Sequence, residues 1–558
     1  MLTSLTAPAF AKTWCIEDGN ITVKAGDTGN DVTQKGETTY GDTDTIITNQ
    51  NKDIASSNTV TIETNDKNDK VEVTLKDVNI NVGSDSGSAL TSNGDVTLTL
   101  KGDNSLTGGN GGSGISSNGS LTITGGENDS LTAKGGSGRS GIFSSGGVTI
   151  SGGTVNATGG SSGSDSGDGI HSGSLTMKGG TVNATGGDAS DKDASAGGSG
   201  ILIFGSGILT VSVSTVTATG GNGGSARGSH GGNGISGKGS LTVSGGTVTA
   251  TGGDGCSGSY SDGGIGISSS SGGVTISGGT VTATGGKSGS GDYSNGGNGI
   301  SSSGSLSISG GTVTATAGSS SGSYGRDGIT TSSSLTISGG TVTANGGSGS
   351  YRGGSGISSS DIELSGSLEL TAKAGSPNGK ALSQNGIELD PNTFKEKLDP
   401  GANIITKDAD GKVIDQVSSP RPVEPEGPVI PEESSSSSDS GSSTPSADGG
   451  SATPSAPASP LPGLTVTDKS GQRISYTSIR GNNVLSIRAG RFTASLRVSL
   501  AALRQLRAEG IDTITFRTVL CSTTLSVDEL LAIGGEDTEV VLIHHIRSST
   551  LTVGGKAV

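Results

Sequence analysis

The chain has 558 residues, contains 104 glycines, is 28% hydrophobic and 2% aromatic, and carries a formal net charge of −16. In an aperiodic chain that composition excludes a conventional globular core, because too little apolar surface exists to offset the entropy of ordering. The acidic balance excludes a nucleic-acid partner, which needs a basic stripe against phosphate, and no apolar run is long enough to span a bilayer.

In chain order, "MLTSLTAPAFAKTW" carries the small-x-small pattern Ala9-Phe10-Ala11, so residues 1–11 are expected to be the remnant of a signal peptide. Cys15, Cys256 and Cys521 are odd in number and far apart, which provides neither a disulfide framework nor a metal motif. Residues 12–80, with the alternating runs "NTVTIET" and "KVEVTLK", are expected to be strands that lead into the next segment and cap it.

Residues 81–382 repeat. An Ile or Leu opens each unit, at Leu90, Ile115, Ile142, Ile170, Ile201, Ile235, Ile267, Ile300, Ile329, Ile357 and Leu382, in steps of 25 to 34 residues. Behind most of them come an "LTI"-like run, a "GG" bend, a "TVTAT"-like run and a Gly/Ser loop of variable length. Short strands in fixed order, with insertions confined to one place, are the signature of a solenoid. In "SLTVSGGTVTATGG" the alternation turns Leu241, Val243, Val248 and Ala250 inward and the threonines outward. Each coil therefore buries its opening Ile and four further residues. One such coil cannot fold alone, so the array must be cooperative; about eleven coils at ~4.8 Å make a rod roughly 50 Å long.

Residues 383–417 depart from the repeat and are expected to cap its far end. Residues 418–462 hold ten of the 14 prolines with no apolar periodicity, a linker. Residues 463–558 contain "SLAALRQLRAEG", helical in spacing with Ser499 as its cap, and the strand-like runs "DTITFRT", "TEVVLIHH" and "STLTV". Eleven Lys and Arg there face eight Asp and Glu, so this small α+β domain carries +3 in an otherwise acidic chain.

The segment "VTLKDVNINVGSDSGSALTSNGDVTLTLKGDNSLTGG", residues 73–109, followed by iterated "LTISGGTVTATGG", resembles the secreted β-helical carbohydrate-binding proteins of cellulose-degrading and gut anaerobic bacteria. The likeness covers about residues 58 to 382. It implies a right-handed parallel β-helix of pectate-lyase type, an extracellular or cell-surface location, binding of plant cell-wall polysaccharide and calcium, and no catalysis. The C-terminal domain resembles modules at the ends of such surface proteins and adds no chemistry; its expected role is to attach the chain to a partner or another surface component.

Two sets of loop residues are candidate sites. Tyr260, Tyr293, Tyr324 and Tyr351 precede their next opening Ile by 7, 7, 5 and 6 residues, which places them along one edge of the rod at coil spacing. Such a file suits the faces of sugar rings; the same rings could instead stack on one another and pin the loops. Asp165, Asp168, Asp188, Asp191 and Asp193 fall in adjacent loops and either gather calcium or remain solvated. A third surface is the T-x-T-x-T array, such as Thr247, Thr249 and Thr251 with Thr280, Thr282 and Thr284, which resembles that of ice-binding solenoids and is interrupted by Asn156 and Asn183.

Enzymatic readings find less. His171 and His230 lie in loops with no evident partner, and Gly136, Gly138 and Gly141 satisfy GxGxxG without a following helix. The expectation is a non-catalytic polysaccharide-binding protein, with a structural spacer or adhesin as the rival.

Overall fold

The computed structural model describes residues 11–64, 69–190, 196–419, 463–468, 471–474, 476–481, 484–489, 491, 493–518, 522–533, 539–545, 549–553 and 556–557. The expected signal remnant, except Ala11, and nearly all of the expected linker lie outside them. Two units result, Met1–Pro428 and Val429–Val558.

The first unit is a parallel β-solenoid of about 15 turns. Each regular turn has three short strands, illustrated by Ile115–Ser117, Leu121–Gly125 and Ser130–Lys134. Each strand pairs in parallel with its equivalent one turn away. The opening residues therefore form an unbroken file, Ile115 on Ile142, Ile142 on Ile170, Ile170 on Ile201 and so on to Ile357 and Leu382. Between the second and third strands the chain turns at a glycine with positive φ, as at Gly246, Gly279 and Gly311, with φ of 74°, 78° and 82°. Only glycine adopts that backbone without strain.

The turn count exceeds the expected eleven because the stack begins before the repeat signature does. Thr13–Cys15 pairs in parallel with Ile46–Thr48, which pairs with Lys70–Lys76; Ile21–Ala25 pairs with Val60–Glu63 and that with Leu90–Asn93. An antiparallel excursion, Asn30–Gln34 with Glu37–Asp42, leaves this stack. Its buried Asp42 accepts hydrogen bonds from the Trp14 indole at 2.8 Å and the Thr45 hydroxyl at 3.1 Å. At the other end, Asn403–Lys407 adds to the long strand Ile357–Lys373 and turns back antiparallel through Val413–Ser418.

Six residues per regular turn point inward, one more than the alternation suggested. In one turn these are Ile115, Ser117, Leu121, Ile123, Leu131 and Ala133, all buried. The additional member is a hydroxyl: Ser117, Ser144, Ser172, Ser269, Ser302, Thr331 and Ser359 occupy one file, broken only by Ile203 and Gly237. These hydroxyls donate to carbonyls of the adjacent bend, as Ser269 does to Gly239 at 3.0 Å and Gly272 at 2.8 Å. A buried carbonyl left unpaired is costly, so a serine is a better occupant here than an apolar residue.

The Gly/Ser loops are ordered by the same stacking. In the loop after Thr219, the N–H groups of Gly220 and Gly223, then of Gly228, Gly231 and Gly234, donate to carbonyls of the next loop at 2.8 or 2.9 Å. A bond at every third residue is the period of a polyproline-II leg, which has no internal hydrogen bonds. The two legs of successive loops also zip together along the rod: Gly253, Gly264, Gly286, Gly297 and Gly318 each donate to the one before at 2.8 Å. A Cβ on Gly297 would lie 1.8 Å from the Gly264 carbonyl oxygen.

The second unit holds two sheets. The first contains Leu464–Thr467, Ala494–Ser499, Glu539–His544 and Ser549–Val553; the second contains Thr477–Gly481, Val484–Arg488, Thr513–Arg517 and Ser522–Ser526. The helix Leu500–Ala508 starts where the sequence suggested, with the Ser499 hydroxyl accepting from the Ala502 N–H at 3.2 Å. His544 is buried against the Phe516 ring and bonded to the hydroxyls of Thr518 and Thr523.

Gly297→Ala is expected to lower the stability of the solenoid by about 3 kcal/mol or more, seen as a fall in melting temperature, whereas Gly87→Ala, whose Cβ meets nothing nearer than Val82 at 3.9 Å, leaves it unchanged. In the second unit, burial pushes the His544 pKa down. The unfolded chain therefore takes up a proton that the folded unit resists, and stability is lost as pH falls below about 6.5. Urea titrations across that range should show the loss, and His544→Gln should flatten it.

Candidate functional site

The loop tyrosines lie on successive turns but form two pairs rather than one file. Tyr260 and Tyr293 stack with centroids 5.1 Å apart and planes at 16°, and the Arg227 guanidinium lies 4.7 Å over the Tyr260 ring. Tyr324 and Tyr351 form a looser, tilted pair at 6.3 Å. All four rings are exposed, from 43% for Tyr260 to 72% for Tyr351. The pairs separate because the loop carrying Tyr324 is shorter than the two before it, so this ring does not fall over Tyr293.

The backbone beneath the first pair is unusual. Gly228, Tyr260 and Tyr293 are equivalent in successive loops: the Gly228 N–H donates to Ser259, and the Tyr260 N–H to Asp292. All three have positive φ, 78°, 62° and 60°. That conformation costs an ordinary side chain roughly 1–2 kcal/mol and costs glycine nothing. The tyrosines thus occupy places that the backbone would give to glycine.

The acidic loop residues are tied to the backbone. Asp168 accepts from the Ser199 N–H at 2.7 Å, and Asp188 from the Asn222 N–H at 2.6 Å. The pattern continues up the rod, Asn222 accepting from Asp254 and Asp254 from Lys287. Each side chain captures an N–H one turn on, so these residues clamp loops. Asp327 does the same for Ser355 at 2.6 Å, and burial pushes its carboxyl up. Asp165 is exposed, while Asp191 and Asp193 lie outside the described residues. Among the described residues no group of three or more His, Cys, Asp or Glu is placed to hold a metal ion.

His171 and His230 both have partners, contrary to expectation, and His171 lies in the strand Ile170–Met177 rather than in a loop. His230 Nδ1 accepts from the Asp262 N–H at 3.1 Å. His171 Nδ1 lies 2.9 Å from the Asp168 carboxylate, and its ring meets Phe143 and Phe204 edge-on at 5.5 and 5.2 Å. Phe143 and His171 are register partners on the outer surface of the first strand, and beside them opens a groove of about 390 Å³ that Arg139 and Asp165 also line. The signal available in the sequence was the position itself: the residue after the opening Ile is serine in most turns, as at Ser116, Ser236, Ser268 and Ser301, and an aromatic ring here.

The threonine array is in register, with Thr215, Thr247, Thr280, Thr312 and Thr341 in one file and Thr217, Thr249, Thr282, Thr314 and Thr343 in the next. Its interruptions make a rung of their own, Asn183 donating to Asn156 at 2.9 Å. Gly136 and Gly141 serve the loop ladder, Gly138 supplies a turn with φ of 67°, and a strand follows them. Cys15 and Cys256 are free, and Cys521 lies outside the described residues. Among the described residues no helix is long and apolar enough to cross a membrane.

Asp168→Ala strips the acceptor from a buried N–H and from His171, and is expected to cost about 1–3 kcal/mol. The fall in melting temperature should be equal in calcium and in chelator; a fall seen only with calcium would mark Asp168 as a metal ligand.

Comparison with family models, with curated proteins and with solved structures found no match to this chain.

Proposed function

We propose that the protein is an extracellular, non-catalytic binder of plant-type polysaccharide, with glycan held against the tyrosine edge of the solenoid. The observation that carries the reading is the placement of Tyr260 and Tyr293, exposed and stacked at left-handed positions where Gly228 stands in the preceding loop. Backbone strain kept in place by a rigid frame is the mark of a residue retained for its side chain. Two parallel rings with hydroxyl tips, capped by Arg227, offer an apolar face and polar rim of the kind that sugar rings fit. The second unit, by the same reading, attaches the binder to another surface component.

The test is affinity electrophoresis of the full chain against neutral and acidic plant polysaccharides, each with calcium and with chelator. Retardation by one class is expected, and its calcium dependence reports whether the acidic loops take part. Tyr293→Gly relieves the strained φ while removing the ring, so retardation should fall at least tenfold with the melting temperature unchanged or raised. A lower melting temperature with retardation intact would make the tyrosines loop pins, and retardation by no polysaccharide would leave a spacer.

A further inference from the structure

We infer that the groove beside Phe143 and His171 is a second sugar subsite, taking one neutral pyranose ring; this rests on the carbohydrate reading above. Its place in the fold is distinct from the tyrosine edge, on turns that open at Ile115, Ile142 and Ile170. At about 390 Å³ the groove falls within the size range of small-molecule pockets.

Three observations give the ligand class. The first is apolar surface where the repeat does not call for it. Phe143 and His171, which line the groove, stand in register with Leu202 on three successive turns, at a position that is serine in most others, and Phe204, behind them, lies parallel to Phe143 at 6.4 Å. In a chain that is 2% aromatic, this cluster adds nothing to the interior, since the rings lie on the outer surface.

The second is a fixed hydrogen-bonding imidazole. Asp168 is 8% exposed and held by the Ser199 N–H, so its bond to His171 fixes the ring. With Nδ1 engaged by the carboxylate, Nε2 is the ring nitrogen left for a ligand hydroxyl.

The third is charge. Arg139 and Asp165 both line the groove and both are exposed, and Asp168 lines it too, so the groove's carboxylates outnumber its guanidinium. The guanidinium supplies donors and the carboxylates acceptors to a polyol, while a second negative charge is disfavoured. A uronate would meet Asp165 and Asp168, whereas a neutral hexose meets a ring face, a donor and two acceptors.

The experiment is calorimetric titration of the full chain with a neutral β-1,4-linked glucose hexamer and with a galacturonate hexamer. The neutral hexamer is expected to bind at two sites per chain. Phe143→Ser, which installs the residue other turns carry, should abolish one site and keep the melting temperature, and the exposed Arg139→Ala should weaken the same site at least tenfold. Tyr293→Gly should remove the other. If Phe143→Ser and Arg139→Ala both leave stoichiometry and affinity at wild-type values, the groove is not a subsite, although the tyrosine edge still stands. A groove that prefers the galacturonate overturns the neutral class, and failure of the wild type to bind either hexamer overturns both sites together.

Discussion

The parallel ladder fixes nearly everything else in the first unit. When each strand hydrogen-bonds to its own equivalent one turn away, residues at equivalent positions are held one strand spacing apart, about 4.8 Å, for the whole length of the rod. Any side chain admitted at a position must tolerate a copy of itself above and below. Ile on Ile, Val on Val and Ala on Ala satisfy this inside, and Thr on Thr satisfies it outside. Where the backbone itself is what stacks, as in the loop legs, glycine is the usual occupant, with Arg139 and Arg326 the departures from its file.

That rule explains what could be read from the sequence. The opening Ile, the alternating strands and the "GG" bends are local patterns, and they suffice for a parallel solenoid followed by a small α+β unit. The inward serines were not legible, because Ser at an alternating position reads as a solvent-facing residue until the carbonyls of the bend are seen to need a donor. The glycine legs were read as loops, because composition alone does not distinguish a solvated coil from a polyproline-II leg bonded to its neighbours. The early turns were missed for the opposite reason: they obey the ladder without sharing the repeat's wording, as Trp14 over Ile47 shows.

The candidate sites divide in the same way. The tyrosines were found from their spacing, but their separation into two pairs depends on loop length, which sets whether one ring falls over the next. The bond between Asp168 and His171 spans only three residues, yet its use depends on Phe143 and Phe204, which the ladder brings alongside from other turns. Two of the acidic loop residues that looked available for an ion, Asp168 and Asp188, are engaged in holding N–H groups of the adjacent turn. The frame is thus uniform in its interior and variable at one corner, a division that lets chemistry change from turn to turn without disturbing the stack.

The glycine legs also bear on how the fold responds to temperature. Unfolding them exposes mostly peptide groups, and hydration of polar surface lowers the heat capacity that apolar exposure raises. A rod built this way has a smaller heat-capacity change per residue than a domain with a conventional core, and its stability curve is correspondingly flat. Cooling, which weakens apolar burial, takes little from it, so the strength of the frame changes little with temperature.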